Sequence, residues 1–201
     1  MRKLKLLFVL IIASTFFSCQ KQENIHPNAE NEKIDLSAVK AIASLQSLEE
    51  IKVAYGLLNY SERAELWQNH LSEYLNVGLT SQQESKILEL KKRISSNDFN
   101  LDKDTGIREF IRNWVIEALG IFSLELISEL VASPSSVRLN KVNRQYDMFQ
   151  KDCNCKSINN WLTLCGGYIV VSGTCKRDNC ERFTFCGFLF LEDCDGLCKD
   201  Y

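Results

Sequence analysis

Histidine and proline are almost missing from this chain, and cysteine is missing from most of it. Two histidines and two prolines occur in 201 residues. The histidines are His26, in a polar N-terminal stretch, and His70, in an amphipathic segment. Histidine is the commonest acid–base group and a frequent metal ligand, so histidine-based catalysis has almost no material here. Two prolines and nine glycines exclude long Pro/Gly-rich tracts. No cysteine lies between Gln20 and Asp152. Strong positive charge is lacking too: the net charge is −2, which offers no electrostatic attraction to nucleic acid or anionic lipid. The apolar run from Leu6 to Phe17 covers 12 residues, short of the roughly 20 that a bilayer-spanning helix needs.

What is present begins with an export pattern. Arg2, Lys3 and Lys5 precede the apolar run, and Ser18-Cys19 follows it. That is the layout of a signal peptide over residues 1–18. Phe16-Phe17-Ser18-Cys19 resembles the bacterial lipobox, which implies cleavage before Cys19 and lipidation of that cysteine. Removing the signal leaves a net charge of about −5. Residues 19–34 are polar, contain Pro27, and read as a flexible tether between a membrane anchor and a folded domain. Lys21 and Glu23 resemble surface-export signals of some Bacteroidetes lipoproteins.

Residues 35–131 read as four amphipathic helices. The first, 36–58, repeats Val39, Ile42, Leu45, Leu48, Ile51, Tyr55 and Leu58 at helical spacing. The second runs from an N-cap at Ser61 to about residue 77, buries Leu66, Trp67 and Leu71, and stops at Gly78. Thr80 and Gln83 form a capping box for the third, which offers Ile87, Leu90 and Ile94 to the core. The fourth, 107–131, is the most apolar. Glu117, Glu125 and Glu129 speak against a membrane span, at about 2–3 kcal/mol each at the bilayer centre, and read as a solvated stripe.

Two features there invite a ligand. The loop from Asp98 to Glu109 carries oxygens at EF-hand spacing: Asp98, Asn100, Asp102, Asp104 and Glu109. Lys103 stands where the calcium loop needs glycine, so a polar loop with Thr105 or Asp104 capping the next helix is the plainer reading. His70 flanks the apolar stripe and reads as a boundary residue of the bundle.

Residues 132–151 break the pattern at Ser133-Pro134-Ser135-Ser136 and carry Arg138, Lys141, Arg144 and Lys151. They read as a basic linker open to proteolysis. Beyond it lie eight cysteines within residues 152–201: Cys153, Cys155, Cys165, Cys175, Cys180, Cys186, Cys194 and Cys198. An even count in a short exported segment implies a disulfide framework, which so small a unit needs in order to fold. The pairing stays open. A zinc site is the competing reading, but C-x₂-C pairs and histidines are absent from the module. Segments 168–171, 182–185 and 188–191 read as three short strands of an antiparallel sheet. Trp161, Phe183, Phe185, Phe188 and Phe190 exceed what so small a core hides, so they form a contact surface or pack on the helices.

At these residues a family likeness emerges. Asp152-Cys-Asn-Cys155, Trp161 ahead of Cys165, and Cys194-Asp-Gly-Leu-Cys198 resemble the bacteriocin fulvocin C-related proteins over residues 150–201. The order of signal, helical region and cysteine module is similar to that family in Bacteroidetes. The likeness implies an antibacterial peptide at the C-terminus of a precursor. The expected fold is α+β, an N-terminal antiparallel helical bundle followed by a disulfide-rich antiparallel β module. The expected function is an exported, lipid-anchored, bacteriocin-like protein of the cell envelope. Its partners would be the membrane, through Cys19, and a protein or target-cell envelope, through the module. No enzyme activity, catalytic residue, cofactor, metal or nucleic acid is expected. The alternative is a non-toxic envelope lipoprotein that serves as a binding module.

Overall fold

The computed structural model describes residues 34–134 (except 46, 101, 102 and 104), 155–157, 162–165, 168–171, 175–176 and 184–198. The signal peptide, Cys19, the tether up to residue 33, and the linker from residue 135 lie outside the described residues. The described fold is α+β.

Among the described residues, six α-helices build the body: α1 Leu36–Ala43, α2 Leu48–Gly56, α3 Tyr60–Tyr74, α4 Ser81–Arg93, α5 Ile107–Ala118 and α6 Leu124–Val131. Two helices expected to be continuous are therefore broken. Ser47 accepts from the Glu50 amide to start α2, and Ser123 accepts from the Leu126 amide to start α6. Serine competes with the helical backbone and favours such caps. The apolar periodicity runs through both breaks because the paired helices face the same core. Helix α3 begins one residue before the expected cap. Asn59 caps it, and Glu62 closes a capping box. The other Glu62 oxygen accepts from the Asp35 amide, which ties the starts of α1 and α3 together.

Several local expectations hold. Thr80 and Gln83 form their reciprocal capping box, and the Gln83 amide group also reaches the Ile121 carbonyl. Gly78 follows α3 with a left-handed φ of 75°. The core takes up Ile51, Trp67, Leu71, Ile87, Leu90, Ile111, Trp114, Ile127 and Leu130, all essentially sealed from solvent. Trp114 donates to the Lys86 carbonyl, and the Lys86 ammonium bridges Glu89 and Glu117. Glu117 thus joins α5 to α4 as well as facing water. It sits on a different helix from Glu125 and Glu129, so the three glutamates do not form one stripe.

Among its described residues, the module contains two small antiparallel sheets. Strands β1 Cys155–Ser157, β2 Leu162–Cys165 and β3 Tyr168–Val171 pair in that order. Strand β4 Cys175–Lys176 pairs with β5 Leu197–Cys198. The disulfide Cys155–Cys175 ties β1 to β4. Of the expected strands, 168–171 is one. Phe188–Phe190 is a 3₁₀ turn, not a strand, with Leu189 and Phe190 at φ 53° and 59°. Thr184 and Phe185 form a bend, while Arg182 and Phe183 lie outside the described residues.

Candidate interaction site at the seat of the cysteine module

The module's most apolar run is turned inward. Phe188, Leu189, Phe190 and Leu191 are buried in the same hydrophobic cluster as the helix cores. Phe190 meets Tyr55 and Trp67 edge-on, with ring centroids 5.2 and 5.7 Å apart. Phe185 meets Tyr55 at 5.1 Å in the same manner. Such pairs add about 0.5–1.5 kcal/mol each beyond the buried area. These aromatic side chains therefore pack on the helical body, one of the two outcomes the sequence left open. Trp161 and Phe183 lie outside the described residues.

The turn that presents this run is held by the disulfide Cys186–Cys194, with Cα atoms 5.1 Å apart. The Cys186 and Glu192 backbones also bond to each other in both directions. Phe185, Leu189 and Phe190 all have positive φ. Left-handed backbone at a bulky non-glycine residue costs about 1–3 kcal/mol, and persists only where surrounding contacts over-determine it. Gly187, at φ 74°, could not carry a side chain: a Cβ there would come within 2.9 Å of Glu192 Cβ.

Two cations from the helices sit under this turn. Lys52 on α2 is 7% exposed, and its Nζ lies 3.5 Å from Cys186 Sγ and 3.9 Å from Cys194 Sγ. Burial lowers its pKa to about 8, with Glu49 acting in the opposite direction. Arg63 on α3 is 6% exposed. Its guanidinium lies 5.0 Å from the Phe185 ring centroid, 5.1 Å from Tyr55 and 5.7 Å from Tyr60. Burial pushes the Arg63 pKa down, and Tyr55 and Tyr60 oppose that. Cation–π attraction to three rings stands in for the carboxylate that usually accompanies a buried cation.

Polar contacts surround the apolar seat. Arg108 on α5 donates to the Leu191 carbonyl at 3.2 Å, and Arg112 pairs with Glu192 at 2.9 Å. Lys156 joins Glu192 and Asp195 within the module. On α6, Ser128 Oγ donates to the Leu124 carbonyl and accepts from the Ile169 amide at 2.9 Å, which fastens β3 to the helix.

Among the predicted site cysteines, Cys155, Cys175, Cys186, Cys194 and Cys198 are disulfide-bonded. Cys165 stands on β2, opposite both Cys155 and Tyr168 in register. Cys153 and Cys180 lie outside the described residues, as does His26. His70 departs from its expected boundary position. It is 3% exposed, wedged between the Trp67 and Tyr74 rings, and its Nε2 donates to the Glu129 carbonyl at 2.8 Å. Burial lowers its pKa to about 4, partly offset by that bond. It is a neutral core residue that joins α3 to α6.

The calcium-like loop is differently engaged. Asp98 is buried, and its carboxylate accepts from the Ser95 amide and hydroxyl and from Arg93. Gly106, at φ 68°, stands at the N-cap of α5 in place of Thr105 or Asp104, with no side-chain cap. Among the described residues, no group of three or more His, Cys, Asp or Glu side chains is placed to hold a metal. No helix there is long and apolar enough to cross a membrane.

Lys52, Arg63, Arg108, Arg112 and Ser128 were not singled out from the sequence. Each is an ordinary polar residue on an amphipathic helix, and its contact with the module follows from packing that no local pattern records. Comparison with protein-family models, curated proteins and solved structures finds no match to this chain.

Proposed function

We propose that this chain is an exported, lipid-anchored cell-envelope protein that acts by contact rather than by catalysis, with the disulfide module as its contacting part. The observation that carries the reading is the burial of Phe188–Leu191 in the helical core. A module whose apolar run is already occupied by its own helices works as part of one rigid whole, and binding surfaces held on rigid elements are the precise ones. The anchoring part of the proposal rests on the basic n-region, the 12-residue apolar run and Ser18-Cys19. The non-catalytic part is supported by His70, which is sealed in the core and hydrogen-bonded to backbone.

A bacteriocin-like role, as in the fulvocin C-related proteins, is the second reading, and the same burial favours it in one respect. A module freed by a cut in the basic linker would expose four consecutive apolar residues that the helices now cover. Mass spectrometry of the native envelope protein separates the two readings. An intact chain lipidated at Cys19 supports the anchored contact protein. A fragment starting near residue 150 that inhibits related strains as an oxidised peptide supports the bacteriocin. An unlipidated chain found only in the cytoplasm sinks both.

A further inference from the structure

We infer that the helical body is a non-covalent receptor for the oxidised cysteine module and retains it after the chain between them is cut. No cysteine occurs between Gln20 and Asp152, so no disulfide can join the body to the module. Among the described residues, what seats the module is packing, hydrogen bonds and ion pairs. The apolar centre is Phe190 against Tyr55 and Trp67. The Ser128–Ile169 hydrogen bond fastens a second part of the module to a different helix. The Arg112–Glu192 ion pair closes the rim. Buried aromatic anchors ringed by polar contacts are the anatomy of a protein–protein interface.

The receptor is specific for the oxidised form because of the turn it holds. Phe185, Leu189 and Phe190 adopt left-handed backbone that bulky residues avoid. The bond Cys186–Cys194 closes that turn. A dithiol reductant breaks the S–S bond, leaves two thiols and is itself oxidised to a disulfide. With the bond open, the turn relaxes toward ordinary backbone and Phe190 leaves its seat. The inference stands on the interface alone and holds whether or not the chain is anchored.

The test uses the full chain with a specific protease site placed within residues 135–151. Complete cutting is checked on a denaturing gel, and the two fragments are then run by size exclusion at about 1 µM. A Kd weaker than about 10 µM would leave most fragments apart at that concentration. Co-elution without reductant is the expected result, and separation overturns the inference. A dithiol is then added to the cut complex, and in parallel a Cys186→Ala/Cys194→Ala variant is cut, which keeps the other disulfides. Loss of at least ten-fold in retained module is expected in both arms. Full retention in either arm overturns the requirement for the oxidised turn. Circular dichroism of the separated body distinguishes release from unfolding: a helical, unbound body supports release, and an unfolded one overturns the receptor reading.

Discussion

Replacing Lys52 by methionine removes a buried ammonium and leaves a hydrocarbon stem of similar length. In the folded chain the Lys52 pKa falls from the ordinary 10.5 to about 8, chiefly because burial strips water from the charge. At about 1.4 kcal/mol per pKa unit, the folded state at pH 7 carries a penalty of roughly 3 kcal/mol. Below pH 8 the amine is protonated in both folded and unfolded chains, so the penalty is fully present and flat. Between pH 8 and 10.5 the unfolded chain holds the proton and the folded chain does not. The penalty therefore fades as pH rises through that window. Lys52→Met is expected to raise stability at pH 7 by up to about 3 kcal/mol, roughly 6–12 °C in Tm for a chain of this size. Its advantage should vanish by pH 10.5. Urea denaturation followed by tryptophan fluorescence, without reductant, reads both quantities, since Trp67 and Trp114 are buried. If the variant is less stable than the parent at pH 7, the reasoning fails: the contacts with Cys186 and Cys194 would then outweigh the desolvation of the charge.

His70 carries the opposite end of the pH range. Its folded pKa is about 4 against an ordinary 6.5, so the unfolded chain binds the proton first. Stability should fall by about 3 kcal/mol as pH drops from 6.5 to 4, and His70→Gln should remove that slope in acid denaturation curves. Ser128→Ala leaves the buried Ile169 amide without its acceptor, for an expected loss of about 1–3 kcal/mol and faster hydrogen exchange at Ile169; unchanged exchange refutes the contact. Gly196→Ala would put a Cβ 2.6 Å from the Lys176 carbonyl oxygen and 2.9 Å from Cys175 Sγ. It should disrupt β4–β5 pairing and show as scrambled disulfides in non-reducing peptide maps, whereas native pairing at parental yield would contradict the packing.

The parts legible in the sequence are those governed by neighbours a few residues apart. The Thr80–Gln83 capping box and the stop at Gly78 depend on local chemistry, and both are present as expected. Much of the apolar buried face of α1 to α4 was also readable, as at Ile51, Trp67, Leu71, Ile87 and Leu90, since periodicity records which side meets the core. Periodicity is blind to a break between helices on one core, so it does not reveal the caps at Ser47 and Ser123. The run Phe188–Leu191 looked like a strand because its residues favour extended backbone. Its left-handed turn is tolerated only because a disulfide closes it and helices from the other half of the chain bury it.

By itself, then, the sequence determined an α+β chain with a helical body, a cysteine-rich end and no cysteine between them, because composition and short-range spacing carry that much. The tertiary structure alone decided that His70 is buried and neutral, that Lys52 lies against a disulfide and that Arg63 sits among three rings. Lys52 and His70 depend on groups dozens of residues away, and Arg63 on Phe185 besides the nearby Tyr55 and Tyr60; the approach of those distant groups sets the local dielectric. No pattern within a helix encodes that approach.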